Sequence, residues 1–354
     1  MIRAWTPGGS VRKHAAGTII FHSRYSVLVT VKRCAIVTLS DIKAAQQRLR
    51  GVAARTPLIP CPHHDPSREL FLKPESLQPI GSFKLRGAYN KISSLPDAER
   101  RRGVITYSSG NHAQGVAYAA RALGVKAVIV MPNNAPKVKI DSTRAMGAEI
   151  VFVGPASSER KARAEELARE HGYVVVPPYN DEKIIAGAGT IGLEILEDLP
   201  DVELVLVPIG GGGSISGIAS AIKLSGSKAK VVGVEPELAN DAQLSFRAGR
   251  IVQLSAEEVT RTLADGLRTQ SVGEINFEHI RAYVDDVVTV SESDITDAMR
   301  LMVMNAKLVA EPSGAVTFAA YIKHAAQLPA AKKVVAVITG GNVEPALLAK
   351  ILAE

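Results

Sequence analysis

The feature that most limits what this chain can fold into is a regular alternation of β-rich and helical runs between residues 104 and 234. Val104, Ile105, Thr106 and Tyr107 form a β-branched and aromatic run, followed by helical composition over 113–123. Further strand-like runs at 127–131, 149–153 and 174–176 alternate with helical ones at 137–146 and 159–170. Strands separated by helical crossovers pair in parallel, so this order predicts a β-α-β-α unit. A helix over 184–196 leads to a second series, opened by Leu204-Val205-Leu206-Val207-Pro208-Ile209. A run that is apolar at nearly every position is a strand buried on both faces. A helix from Ser214, a strand over 231–234, a helix over 295–308 and a strand over 334–338 complete the series. The expected class is α/β, with parallel sheets flanked by helices in two domains that leave a cleft between them.

Length and charge agree with this. The 354 residues, 46% of them apolar, have room for two domains with a shared interface. The formal charge of +7 comes mostly from one end, because residues 1–37 hold six basic residues and no acidic ones. Setting those six aside leaves 36 of the 42 basic residues against 35 acidic, so the body is nearly neutral. No run of clustered Lys and Arg with interleaved aromatics marks a nucleic-acid surface, and no apolar run is long enough to cross a membrane. Residues 1–37 read as a disordered basic extension or a misassigned start. The two cysteines, Cys34 and Cys61, suit free thiols in a reducing compartment, the cytoplasm.

The chemistry centres on Glu75-Ser76-Leu77-Gln78-Pro79-Ile80-Gly81-Ser82-Phe83-Lys84-Leu85-Arg86-Gly87. Pro79 and Gly81 make a turn, and Ser82 is the expected N-cap of a helix over 83–92 with Lys84 in its first turn. The helix dipole repels a cation there, and burial beside Phe83 disfavours the ammonium. Both effects favour the neutral amine that condenses with an aldehyde. Upstream, Ser40 is the expected cap of a helix carrying Ile42, Ala45 and Leu49, and residues 69–73 form a short strand.

Four further clusters follow strands. Gly210, Gly211, Gly212 and Gly213 join a buried strand to a helix, which suits backbone N–H groups aimed at a phosphate. The spacing fits neither a dinucleotide fingerprint nor a nucleoside-triphosphate loop. Ser108, Ser109, Gly110, Asn111 and His112 offer hydroxyls, an amide and free backbone donors at a helix start, where a small carboxylate fits. Thr339, before Gly340 and Gly341, lies at the carboxyl edge of the glycine-loop sheet, where a hydroxyl reaches a ring nitrogen. Glu235 and Asp241, with the Ala239 carbonyl between them, are compatible with a hard cation such as Mg²⁺ or Ca²⁺. An amine-activating lysine, a phosphate cup, a carboxylate loop and a ring-nitrogen partner together describe a site for pyridoxal 5′-phosphate and an amino acid.

These motifs, with Glu311-Pro312-Ser313-Gly314 and Thr339-Gly340-Gly341-Asn342, resemble the pyridoxal-phosphate-dependent serine/threonine dehydratase and serine racemase family of the tryptophan synthase β-like fold. The hydroxyectoine-utilisation dehydratase branch is similar. The resemblance implies that Lys84 is the Schiff-base lysine and that Phe83 packs on the ring. It further implies that Asn111 meets the 3-oxygen, Gly210 to Gly213 the phosphate, and Thr339 the pyridine nitrogen. Ser108 to His112 would hold the substrate carboxylate, with Ser109 at the position of the racemases' second base. Glu235, Ala239 and Asp241 match the racemases' cation site. The implied activity is loss of water and ammonia from a β-hydroxy amino acid (serine, threonine, 3-hydroxyaspartate or a hydroxyectoine-derived one), with racemisation as the alternative. The implied assembly is a homodimer with a large domain (38–87 and 181–354) and a small mobile one (88–180). Two departures stand out: Thr339 replaces the usual serine, and Ala188 replaces a glutamine in Ala186-Gly187-Ala188-Gly189-Thr190.

Overall fold

Ten strands in two sheets carry the computed structural model, which describes residues 36–61, 68–108, 110–135, 137–154 and 157–354. They are β1 (Ile59–Pro60), β2 (Glu69–Pro74), β3 (Val104–Tyr107), β4 (Ala127–Pro132) and β5 (Glu149–Val153), then β6 (Val174–Val175), β7 (Leu204–Pro208), β8 (Lys230–Pro236), β9 (Asp286–Val290) and β10 (Lys333–Ile338). One sheet runs β1-β2-β10-β7-β8-β9 and the other β5-β4-β3-β6. All described pairings are parallel except β1 with β2. This is the tryptophan synthase β-like α/β fold, with each sheet flanked by helices.

The last strand decides where the functional loops meet. β10 inserts between β2 and β7, pairing Ala336 with both Leu72 and Leu206. The loops after β7 and β10 therefore leave the same carboxyl edge. Ser82, beyond β2, is drawn to that edge as well, through an antiparallel bridge to Gly340 and a 3.0 Å bond from the Phe83 N–H to the Thr339 carbonyl.

Several local expectations change. Thr38, not Ser40, caps the first helix, Leu39–Leu49, because Thr38 and Asp41 bond reciprocally and place Ser40 inside the first turn. Phe83, not Ser82, precedes the helix Lys84–Ser93, because Ser82 is held by the Gly340 bridge. The helix expected over 295–308 runs Glu292–Leu301 and passes into a π-turn, Met302–Ala306, that ends at Lys307 with φ 56°. That left-handed residue redirects the chain towards Glu311. Val37 is buried and its N–H donates to His279 Nε2 at 2.9 Å, so it packs with the body and not with the basic extension.

Three helices stack through glycines beneath Lys84. A Cβ on Gly187 would lie 2.5 Å from the Arg86 carbonyl, and one on Gly217 would lie 2.3 Å from the Ile185 carbonyl. The glycines of Ala186-Gly187-Ala188-Gly189-Thr190 thus serve close packing of Glu182–Asp198 against Lys84–Ser93 and Gly213–Leu224. Across the first contact lies a buried charge cluster. Arg86 donates to both Glu75 oxygens at 2.7 and 2.8 Å and to both Glu194 oxygens at 2.6 and 2.9 Å. Lys73 adds a 2.6 Å bond to Glu194, making two cations and two carboxylates. Burial alone would raise the Glu75 carboxyl, but the Arg86 guanidinium outweighs it and holds the group below its usual range.

Candidate active site

Lys84 occupies the first position of its helix, with Nζ 2.8 Å from the Pro178 carbonyl and 5.1 Å from the centre of the Phe83 ring. The residue keeps some accessible surface although it lies deep among protein atoms, as a side chain facing an internal cavity does. Burial lowers its pKa to about 8, opposed by the nearby Glu311 carboxyl. The helix Asn111–Ala122 packs directly on this residue, since a Cβ on Gly115 would lie 3.0 Å from the Lys84 carbonyl.

The start of that helix carries the expected carboxylate loop. Gly110 is its N-cap, Asn111 its first residue, and Ser108 Oγ accepts from the Gly110 N–H at 3.3 Å. Ser109 lies outside the described residues. His112 is buried, with Nε2 2.9 Å from the Val176 carbonyl. Burial, followed by the Lys84 cation, lowers its pKa to about 3, so it is neutral. A neutral ring donates from Nε2 to that carbonyl and leaves Nδ1 as an acceptor, which has no protein partner.

Gly210, Gly211, Gly212 and Gly213 are buried between β7 and the helix Gly213–Leu224, with Gly212 at φ 92°. A Cβ on Gly211 would lie 2.2 Å from the Tyr179 ring, so only glycine lets the turn pass beneath that ring. The first N–H groups of the helix have no intrahelical acceptor and face outward from its positive end. Thr339 is buried, and its hydroxyl reaches the Ser313 carbonyl only at 3.5 Å, which leaves it available to a better partner.

Glu311 is the residue that reading the sequence missed. It stood within a quoted motif, but nothing local placed it beside Lys84, because its partners come from Asn111 and from the loop after β10. Asn111 Nδ2 donates to Glu311 Oε1 at 2.7 Å. Burial and then the Asp265 charge raise its pKa to about 8 against the Asn111 bond, so the acid form prevails at neutral pH. Asp265 pairs with Lys139 at 2.7 Å, joining the helix Lys137–Ala145 to the turn Asp265–Leu267.

Glu235 and Asp241 do not share a simple acidic loop. Glu235 ends within β8, and its two oxygens accept from the Ala242 and Gln243 N–H groups at 3.0 and 2.7 Å, at the start of the helix Asp241–Ala248. Ala239 is buried in the turn Glu237–Ala239 between them. Neither carboxylate oxygen of Asp241 has a well-formed hydrogen bond. The Thr269 hydroxyl and the Val272 N–H favour its ionised form without reaching bonding geometry, and burial prevails, raising its pKa to about 7. Glu235 is raised well above its usual range by burial and by Asp241. No cluster of three or more His, Cys, Asp or Glu able to hold a metal occurs among the described residues.

The residues around Lys84 fit pyridoxal phosphate on this geometry: an enclosed amine with a lowered pKa, a glycine turn at a helix N-terminus, and buried polar atoms without partners in Ser82 Oγ and His112 Nδ1. Comparison with known proteins agrees. Residues 49–340 match the family described as pyridoxal-phosphate dependent enzyme. The chain is 45% identical to an L-threonine ammonia-lyase of Thermotoga maritima over 90% of its own length and 78% of that protein. It is 39% identical to an L-threo-3-hydroxyaspartate ammonia-lyase of Saccharomyces cerevisiae, covering 87% and 94%. It superimposes on maize serine racemase with a TM-score of 0.82 to 0.85 bracketed by a related threonine deaminase, at 35% identity to the racemase over 90% of this chain and 98% of that one. The chain belongs to the pyridoxal-phosphate dependent enzymes, in their dehydratase and racemase group.

Proposed function

We propose that this protein is an ammonia-lyase that removes water from a β-hydroxy amino acid, giving a 2-oxo acid and ammonia. The observation that carries this reading is the enclosed Lys84 amine with its pKa lowered to about 8, beside a neutral His112 and a helix start suited to a carboxylate. Pyridoxal phosphate, when bound, supplies an aldehyde for the substrate's amino group and a ring that stores the electron pair left at the α-carbon. Lys84 Nζ would hold that aldehyde, then take the α-proton and return a proton to the departing hydroxyl. Loss of the hydroxyl as water leaves an enamine, whose hydrolysis releases the 2-oxo acid and ammonia. Gly210 to Gly213 would hold the phosphate, Asn111 the 3-oxygen and Thr339 the ring nitrogen, with Phe83 against the ring. A hydroxyl at Thr339 cannot stabilise a ring N–H⁺ as a carboxylate does, which favours fast elimination over a long-lived carbanion. Ser108, Gly110, Asn111 and His112 would receive the substrate carboxylate.

The relatives' names support threonine and 3-hydroxyaspartate as first substrates to try, with serine and hydroxyectoine-derived amino acids after them. A 2-oxo-acid assay across these compounds, run beside Lys84→Ala, tests the lyase; no turnover of any of them would refute it. Likeness to a serine racemase keeps racemisation as a second reading, with Ser109 as the second base. D-serine forming faster than 2-oxo acid would favour that reading.

Three finer proposals accompany the lyase. Residues 88–180 would form a small domain that closes on substrate against the larger one (38–87 and 181–354), supported by their separate sheets and by the Lys139–Asp265 pair between them. A cytoplasmic homodimer is supported by exposed Leu77 and Val309 on either side of Gly341, whose Cβ position lies 3.0 Å from Ser76 and 2.8 Å from the Val309 carbonyl. A structural Mg²⁺ or Ca²⁺ at Glu235, Ala239 and Asp241 is supported by the unpartnered Asp241 oxygens.

A further inference from the structure

A side-chain amide is useful to a ligand only if its oxygen and nitrogen are held the right way round, and the two ends differ little in shape. At Asn111 the orientation is set from outside the residue. The chain of bonds begins at the Ile80 carbonyl, which can only accept. Asn342 Nδ2 donates to it at 2.9 Å, and so the Asn342 nitrogen lies at that end. The same nitrogen donates to Asn111 Oδ1 at 2.7 Å, which assigns the Asn111 oxygen. Asn111 Nδ2 is then directed to Glu311 Oε1 at 2.7 Å. One N–H of the Asn111 amide remains uncommitted.

We propose that Asn342 and Glu311 are positioning residues that lock the Asn111 amide, with its free N–H presented to the ligand of the site. Two glycines show how tightly both are confined. A Cβ on Gly81 would lie 2.3 Å from Asn342 Oδ1, and one on Gly340 would lie 2.4 Å from Glu311 Oε1. Glu311 is buried, and its Oε1 needs no charge to accept from Asn111. Three segments far apart in sequence, the turn before Lys84, the helix start at Asn111 and the loop after β10, thus converge on one amide. The inference rests on the pyridoxal-phosphate reading, because Asn111 is the residue assigned there to the cofactor's 3-oxygen.

The test uses the full chain with and without pyridoxal phosphate. In cofactor-free protein labelled with ¹⁵N-asparagine, exchange of the Asn111 side-chain amide protons with solvent should be about tenfold faster in Asn342→Ala and in Glu311→Ala than in the wild type. Pyridoxal phosphate titrated by absorbance should bind about tenfold more weakly to both variants. Glu311→Gln keeps an accepting oxygen, so it should stay within about threefold of wild type in both measurements. Unchanged exchange in both alanine variants would overturn the proposal. Glu311→Gln behaving like Glu311→Ala would overturn it for Glu311, since charge and not the accepting oxygen would then matter. If one alanine variant does not fold, the other decides. A wild-type chain that binds no pyridoxal phosphate refutes the cofactor reading alone, because the exchange measurement on cofactor-free protein still decides whether Asn111 is locked.

Discussion

Lys84 and Arg86 stand two residues apart in one helix, both deep in protein, and end in opposite states. Arg86 meets four carboxylate oxygens and is held more firmly charged than a free guanidinium. Lys84 meets one neutral carbonyl, near a Glu311 that itself favours the acid form, and is drawn towards the neutral amine. Burial is common to both, so the partner decides the charge. The two carboxylate sites repeat the contrast. Glu75 beside Arg86 is lowered, while Asp241 beside Glu235 is raised to about 7. A buried charge with its opposite is architecture, and a buried group without one is available for chemistry or for an ion.

The largest expected effect breaks the Lys84 side of this contrast. Lys84→Ala should lower 2-oxo-acid formation by at least about 1000-fold and abolish the yellow absorbance, with the melting temperature little changed. An active, yellow variant would remove Lys84 from the mechanism. The paired side should fail differently: Arg86→Met leaves Glu75 buried without its cation and should cost about 3–5 kcal/mol of stability, read by denaturant unfolding. A loss of activity with full stability would instead place Arg86 in the chemistry.

Two smaller effects sharpen the contrast. Mg²⁺ or Ca²⁺ at about a hundred times its Kd should stabilise the protein by about 2.7 kcal/mol, and Asp241→Asn should abolish the gain. A melting curve indifferent to both cations and to chelator would remove the ion. Lastly, acylation of Lys84 in cofactor-free protein, followed by mass spectrometry against pH, should rise to half-maximum near pH 8, as the folded pKa is about 8 and not the ordinary 10.5. The unfolded amine binds its proton more tightly, so Lys84 destabilises the fold at low pH and that cost disappears as pH rises from 8 to 10.5. A half-maximum near 10.5 would show that burial does not tune this amine.

The alternation of strands and helices was legible because buried parallel strands are apolar on both faces, and β3 and β5 fall at the expected residues. Lys84, the glycine turn and Thr339 were legible because each follows a strand or starts a helix, where backbone geometry dictates residue type. Caps were less so: Thr38 and Ser40 are chemically similar, and only the reciprocal bond with Asp41 chooses between them. β9 was missed because five residues, Asp286–Val290, become a strand only by pairing with β8.

What the sequence determined by itself is therefore local: which runs bury both faces, where turns require glycine, and which side chains stand at the ends of strands. What the tertiary structure decided is every property set by a distant partner. Inserting β10 between β2 and β7 brings Asn342 to Asn111 and Asn111 to Glu311, across 231 and 200 residues of chain. It also leaves Arg86 paired and Lys84 without a paired carboxylate. Hydrogen bonds and charges act over a few ångströms of space, and no spacing along a sequence encodes which distant residues will share it.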